Sequence, residues 1–210
     1  MIINKDGCSS VRGKLREATA SLHAEFDSMA ETLLARGAEG YAEFLAAQGA
    51  VIIPLEKRLE ISGIERLVPD WNQRARRYDL KADLREIAQP CDFVDVPLFR
   101  TPAELLGAAY VLEGSRLDAS LLLRMMHAGT ATRFLRHGQG KGLWPRFLSL
   151  LETNSEVHQN FDQARASATE VYRLYLGAMK AVGPASLPAE WNAAIAQVIA
   201  GRETIATDRS

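Results

Sequence analysis

The stretch LREATASLHAEFD, residues 15–27, predicts an amphipathic helix near the N-terminus. Its apolar stripe consists of Leu15, Ala18, Thr19, Leu22 and Phe26. His23 lies at the edge of this stripe. An imidazole in that place is either a hydrogen-bonded core residue or a ligand for the iron of a flat hydrophobic cofactor. This helix alone leaves both interpretations open.

Helical patterns continue along most of the chain. They cover residues 12–28, 38–60, 70–88, 102–127, 142–152, 155–181 and 188–204. Pro54 falls inside the second pattern, where we expect it to kink or split the helix. The sequence therefore predicts an all-α protein with a flexible N-terminus over 1–11, a single helical domain over 12–204 and a frayed tail over 205–210.

The composition excludes several classes of function. The chain has 210 residues, of which 47% are hydrophobic and 24% charged, with a formal net charge of -1. This charge argues against a nucleic-acid partner. The two cysteines, Cys8 and Cys91, fit no zinc or disulfide pattern. No signal peptide and no insertion into a membrane are expected, so we expect a cytoplasmic protein.

A second segment, LLGAAYVLEGSRLDA at residues 105–119, has the pattern of the middle of a long helix. Gly114 costs about 1 kcal/mol there relative to alanine, and something should compensate for this cost. Close helix packing through Gly107, Ala108 and Gly114, or a kink, is one explanation. The other is that the helix backbone lies across a flat ligand. Tyr110, Gly114 and Asp118 share one helical face, which is consistent with a binding surface.

Three segments in this order resemble the haem oxygenases, particularly the bacterial biliverdin-producing branch. They are LREATASLHAEFD, GAAYVLEGSRL at residues 107–117 and ASAT at residues 166–169. The resemblance covers residues 12–181. It implies a single-domain, multi-helix bundle in which haem lies between a proximal N-terminal helix and a kinked distal helix.

The resemblance also implies roles for individual residues. His23 would be the axial ligand of the haem iron, and Gly114 and Ser115 would lie nearest to the oxygen-binding side of the iron. Arg16 and Tyr110 would lie near the haem propionates. The implied catalytic positions are Gly114, Ser115 and Asp118. The implied haem-binding positions are Arg16, Thr19, His23, Tyr110, Tyr172 and Arg173.

The implied activity is the opening of haem to biliverdin by O2 and reductant, with release of carbon monoxide and iron. Haem would be both substrate and cofactor, with no other metal. A ferredoxin or an NAD(P)H-dependent reductase would supply the electrons. The sequence does not define the oligomeric state.

The chain departs from the family pattern at several positions. Asp118 and Ala119 stand where the family has two further distal glycines, and Tyr172 and Leu176 stand where basic residues are expected. Ala20 replaces a common lysine. These departures favour an alternative, a non-catalytic haem- or tetrapyrrole-binding protein, or a helical interaction protein, on the same fold.

The basic cluster Arg74, Arg76 and Arg77 has two interpretations. It is either a solvated helix face or a docking surface for an acidic electron donor. The solvated face is the prediction, because exposed runs of charge are common.

Overall fold

The computed structural model describes residues 10–182, and these residues form helices without any strand. The α-helices are α1 (Val11–Leu34), α2 (Ala38–Ile61), α3 (Trp71–Arg74), α4 (Arg77–Glu86), α5 (Pro102–Met125), α6 (Arg133–Arg136), α7 (Leu143–Thr153), α8 (Ser155–Gln159) and α9 (Phe161–Ala181). A short 3₁₀ helix, Ile64–Arg66, lies between α2 and α3. The patterns predicted at 188–204 and 205–210, and most of 1–11, lie outside the described residues.

Both α1 and α5 begin with well-defined caps. At α1, the Ser10 side chain accepts a hydrogen bond from the Gly13 backbone N–H, and the Glu152 carboxylate of α7 accepts from the backbone N–H of Val11 and Arg12 at 3.0 and 2.8 Å. At α5, Thr101 and Glu104 form a capping box, with Pro102 in the first turn. These contacts satisfy N–H groups that have no partner within a helix.

Several boundaries differ from the prediction. α1 continues to Leu34, six residues past the predicted end. α2 runs through Pro54 without being split, because the residues on both sides of Pro54, from Val51 to Ile53 and at Leu55, are buried in the core. The predicted helix over 70–88 is broken at Ala75, whose ψ of 119° is extended. The pattern over 155–181 is likewise divided at Asn160.

α5 and α9 form the centre of the bundle. α9 packs against both α5 and α1, and α1 also contacts α2 and α7. Gly107 allows the closest approach, since a Cβ at this position would lie 2.1 Å from the backbone oxygen of Ala164 in α9. Packing against α9 thus explains why residue 107 is a glycine. This close contact holds α5 against α9, and the other side of α5 faces α1.

The apolar stripe predicted for α1 is only partly buried. Leu15 and Thr19 are buried, and Leu22 and Phe26 are half-buried, whereas Ala18 is exposed. Ala18 lies on the outer face of α1, away from both the core and the cleft, so the stripe is narrower than the sequence pattern indicated.

None of the helices between residues 10 and 182 has both the length and the apolar character required of a bilayer-spanning segment.

Candidate functional site

A cleft of about 300 Å³ separates α1 from α5. This volume is at the lower end of the range of small-molecule sites. Its lining residues are Arg12, Arg16, Thr19, Ala20, His23, Ala24, Asp27, Tyr110, Gly114, Leu117, Asp118, Trp144 and Tyr172. The structure therefore brings together the two segments that the sequence analysis singled out.

His23 stands on the α1 wall of this cleft. Its side chain is 45% exposed, and its Nδ1 lies 3.6 Å from the Asp27 carboxylate one turn later. The ring of Tyr172 from α9 meets it edge-on, with ring centroids 5.7 Å apart. A core histidine would be buried and hydrogen-bonded, so the core interpretation of His23 was wrong. Because Asp27 faces Nδ1, Nε2 is the nitrogen that remains for a ligand.

Gly114 lies on the opposite wall and, unlike Gly107, is not explained by helix packing. A Cβ at Gly114 would meet only the Trp144 ring, at an ordinary contact distance of 3.8 Å. Helix–helix packing thus accounts for Gly107 and leaves Gly114 unexplained. Because Gly114 has no side chain, the cleft is wider at this position.

Asp118 is one turn beyond Gly114 and faces α1. One ligand atom from each of His23, Asp27 and Asp118 lies within 4.8 Å of the other two. A flat molecule inserted between α1 and α5 must therefore move the Asp118 carboxylate away from His23. The departure from the family pattern at Asp118 therefore lies on the α5 wall opposite His23.

The mouth of the cleft carries two guanidinium groups. Arg12 and Arg16 are both exposed on α1, and Arg12 lies 6.0 Å from the centre of the Trp144 ring. Burial raises the pKa of the nearby Tyr110 phenol, although the positive charges of Arg12 and Arg16 oppose this shift. The Tyr110 hydroxyl is therefore protonated at neutral pH, and the two arginines place positive charge at the mouth of the cleft.

Ser115 does not line this cleft; it lines a small adjoining cavity of about 20 Å³ that His23 and Asp118 also line, and Arg76 holds its hydroxyl. Its hydroxyl donates to the backbone oxygen of Leu112 at 2.9 Å and accepts a hydrogen bond from Arg76 Nη2. Burial, assisted by the positive charge of Arg116, lowers the pKa of Arg76 to about 10. The guanidinium still carries its charge at neutral pH.

The other haem-binding positions implied by the resemblance divide into two groups. Thr19 lines the cleft, but its hydroxyl bonds to the Leu15 backbone oxygen of its own helix at 2.8 Å. Tyr172 lines the cleft as well, and burial raises the pKa of its phenol. Arg173 lies outside the cleft, where it is exposed and pairs with Glu170 at 3.6 Å.

The basic cluster is buried, so the prediction of a solvated face was wrong. Arg74 and Arg76 are 2% exposed and Arg77 is 8% exposed. Each guanidinium has partners that lie far away in sequence, such as Glu113 for Arg74 and Leu112 for Arg76. Because these contacts are internal, the cluster is not available as a docking surface either.

Three charged or aromatic residues of the cleft were not predicted from the sequence, namely Arg12, Asp27 and Trp144. Asp27 was within reach of sequence reasoning, because it lies four residues after His23 on the same helical face. Arg12 precedes Arg16 by one turn and was equally predictable from the sequence. Trp144 belongs to α7, and nothing in its own surroundings indicates that it packs against Tyr110, with ring centroids 5.7 Å apart.

Comparisons with known proteins agree with this architecture. A haem oxygenase from Xanthomonas campestris pv. campestris (strain 8004) is 28% identical over 121 residues, which is 55% of this chain and 73% of that protein. No protein-family model matches the chain.

Solved structures of haem oxygenases have the same fold. The NO- and CO-bound haem oxygenase from Neisseria meningitidis superposes with a TM-score of 0.71 at 19% identity, covering 85% of this chain and 94% of that one. The haem oxygenase from Leptospira interrogans gives 0.63 at 17% identity, over 82% of this chain and 99% of that one. Haem oxygenase 2 from Chlamydomonas reinhardtii gives 0.63 at 15% identity, over 86% and 100%. The predicted all-α bundle is confirmed: the chain has the fold of these haem oxygenases, and over 121 residues its sequence is similar to that of a haem oxygenase.

Proposed function

We propose that this protein is a haem oxygenase that opens haem to biliverdin, with release of carbon monoxide and iron. Dioxygen is the oxidant, and a ferredoxin or an NAD(P)H-dependent reductase supplies electrons. The observation that carries the proposal is the cleft itself, in which His23 on α1 faces Gly114 on α5. Haem, when bound, supplies both the iron that activates dioxygen and the porphyrin that is oxidised.

The donor set of the α1 wall fits haem. A single imidazole is enough to hold haem iron from one side. The Asp27 carboxylate lies beside Nδ1, at 3.6 Å, and so favours the tautomer in which Nε2 is the ligand. The edge of the Tyr172 ring limits rotation of the imidazole from the other side.

The mouth of the cleft fits the charged edge of haem. Haem carries two propionates, and Arg12 and Arg16 are placed on α1 one turn apart at the entrance. Guanidinium groups bind carboxylates well. We therefore assign the propionates to Arg12 and Arg16 instead of Arg173, which lies outside the cleft.

The α5 wall combines open space with bound polar groups. Gly114 contributes backbone only, so it leaves room beside the ligand. Ser115 lines the small cavity beside His23 and Asp118 and not this cleft. Its hydroxyl is fixed by Arg76 and by the Leu112 backbone oxygen, so it can accept a hydrogen bond from a water molecule there without moving. In this proposal Ser115 orients the water that delivers protons, and the charge of Arg76 keeps the hydroxyl orientation constant.

A second candidate function is haem or tetrapyrrole binding without turnover. It is favoured by Asp118, whose carboxylate approaches His23 within 4.8 Å across the cleft. Haem binding of either kind moves this carboxylate away from His23, and a carboxylate that then stayed on the α5 side of the haem would occupy the space that dioxygen needs. The two candidates thus differ in where the Asp118 carboxylate goes when haem binds.

Titration of the tag-free, full-length protein with haemin, followed by a ferredoxin–reductase system in air, tests the proposal. We expect a one-to-one Soret band that is then replaced by biliverdin absorption. His23→Ala should change the Soret spectrum, whereas the control His127→Ala, an exposed histidine after α5, should not. A stable Soret band would support the second candidate, and the absence of binding would contradict both.

Asp118→Gly separates the two candidates further. Removal of the carboxylate restores the open distal wall, so we expect the rate of biliverdin formation to rise by tenfold or more, about 1.4 kcal/mol in barrier. Leu117→Ala, which also lines the cleft, is the matched control. An unchanged rate and haemin affinity in Asp118→Gly would show that Asp118 does not obstruct the reaction.

A further inference from the structure

We propose that His23, Asp27 and Asp118 together bind a single divalent first-row transition-metal ion in the haem-free protein. The family resemblance implied no metal other than haem iron. This site would hold an ion directly, through one imidazole and two carboxylates from the facing walls of the cleft.

The separation of the three side chains suits one ion. One ligand atom from each lies within 4.8 Å of the other two. Imidazole and carboxylate ligands lie about 2.0–2.2 Å from such an ion, so two ligands of the same ion are separated by up to about 4.3 Å. Small rotations of the half-buried side chains close the remaining gap.

The composition of the donor set defines the class of ion. One imidazole nitrogen and two oxygens of ionised carboxylates suit Fe²⁺, Mn²⁺, Co²⁺ and Zn²⁺. Ions that prefer thiolates, such as Cu⁺, have no suitable ligand in this cluster. Asp27 and His23 come from one helix, and Asp118 comes from another. The ion would therefore link α1 to α5.

An adjoining cavity contains further polar groups for such an ion. Gln48 and Tyr175 are 3% and 2% exposed, and within residues 10–182 neither Gln48 Nε2 nor the Tyr175 hydroxyl has a hydrogen-bond partner. Both line a small cavity of about 20 Å³ that His23 and Asp118 also line. A volume of this size holds about one water molecule. A water bound to the ion would accept a hydrogen bond from Gln48 and so relieve the cost of burying its amide.

The metal and haem exclude each other. Both use His23, and a flat macrocycle between α1 and α5 would separate His23 from Asp118. The proposed haem oxygenase reaction releases iron, and Fe²⁺ is one of the ions that this site would bind. Only this connection between the site and released iron rests on the proposed function. Metal binding by the haem-free protein does not depend on it.

Titration of tag-free, haem-free, full-length protein with Co²⁺ tests the inference. The visible d–d absorption of Co²⁺ reports nitrogen and oxygen ligation directly, and calorimetry gives the affinity and stoichiometry. We expect one saturable site. Asp27→Asn and Asp118→Asn should each weaken it by tenfold or more, because each replaces a charged ligand by a neutral amide.

Glu25→Gln is the matched control, since Glu25 lies on the same helix but pairs with Lys180 at 3.0 Å, away from the cluster. It should bind Co²⁺ like the unmodified protein, and circular dichroism should show all three variants to be folded. Absence of a saturable site, or equal affinity in the two Asn variants and the unmodified protein, would overturn the inference. Haemin is then added to the Co²⁺-loaded protein, and release of Co²⁺ is expected. If haemin binds neither the Co²⁺-loaded nor the metal-free protein, the proposed function is contradicted, whereas the Co²⁺ result still stands.

Discussion

Gly107 and Gly114 lie about two turns apart on α5, and the same substitution should have opposite effects at the two positions. A Cβ at Gly107 would lie 2.1 Å from the Ala164 backbone oxygen, so Gly107→Ala must push α5 and α9 apart. We expect it to lower the free energy of unfolding by about 1–3 kcal/mol. Gly114→Ala meets only Trp144 at 3.8 Å. It should raise the free energy of unfolding of the haem-free protein by up to about 1 kcal/mol, because alanine is the better helix former.

Urea unfolding followed by circular dichroism measures both changes, and each variant is the control for the other. Haemin affinity provides the second measurement. Gly114→Ala should weaken haemin binding several-fold although the protein is more stable, because the added methyl group narrows the cleft. A loss of stability in Gly114→Ala comparable to that in Gly107→Ala would mean that Gly114 is a packing residue after all.

At single residues, sequence reasoning depended on what could be read within one helix. His23 stood out at the edge of an apolar stripe, Gly114 as an unfavourable residue inside a helix and Asp118 as a departure from the family pattern, and all three line the cleft. Sequence patterns could not predict that Asp118 lies close to Asp27, since the two residues are 91 positions apart in the sequence. Their proximity results from the packing of α9 against both walls, which no local pattern encodes.

At the level of elements, Asp70 links two helices that support α5. Its carboxylate accepts hydrogen bonds from Arg74 of α3 at 2.6 and 2.9 Å and from Arg146 of α7 at 3.1 Å. Partial burial acts to raise the pKa of Asp70, but the hydrogen bonds and charges of these two arginines outweigh it, and the pKa is lowered below 3.8. A lowered pKa means that the folded state favours the ionised form. The stabilisation is therefore present above about pH 4 and is lost as the pH falls through the lowered pKa.

Asp70→Asn should lower the free energy of unfolding by about 1–3 kcal/mol at pH 7, since it removes the charge from these hydrogen bonds. The difference from the unmodified protein should shrink as the pH falls below 4, where the unmodified side chain also becomes neutral. Urea unfolding of both proteins at pH 7, 5, 4 and 3 measures this difference. A difference that stays constant down to pH 3 would assign the effect to packing instead of charge.

The interior charges of these elements also explain why one sequence prediction failed. Arg74, Arg76 and Arg77 look like a solvated run, and in most proteins that interpretation holds. Here Glu56 accepts hydrogen bonds from the backbone N–H groups of Arg76 and Arg77 at 2.9 and 3.0 Å, which breaks the predicted helix at Ala75 and turns the side chains inward. Helix positions were largely predictable from periodicity, whereas this break depends on a buried carboxylate from another helix.

Helix α9 supports both walls of the cleft and so connects the cleft to the rest of the fold. It packs against α1 and α5 together, and the Tyr172 ring of α9 meets His23 at the base of the cleft. A ligand that bridges α1 and α5 therefore adds a contact between walls that are otherwise joined mainly through α9. Under the proposed function, haem should stabilise the entire fold and not only the helix that carries His23.

We expect this stabilisation to appear as a higher melting temperature. At a free haemin concentration 100 times the dissociation constant, binding contributes about 2.7 kcal/mol to the free energy of unfolding. For a domain of this size that corresponds to a rise of about 5–10 °C in Tm. Thermal unfolding followed by circular dichroism, with and without haemin, measures it. His23→Ala should lose most of the rise at the same haemin concentration, because the bond between protein and iron is removed, whereas His127→Ala should keep it. An equal rise in His23→Ala and the unmodified protein would mean that haemin binds to the fold without using His23, and the axial assignment would then be wrong.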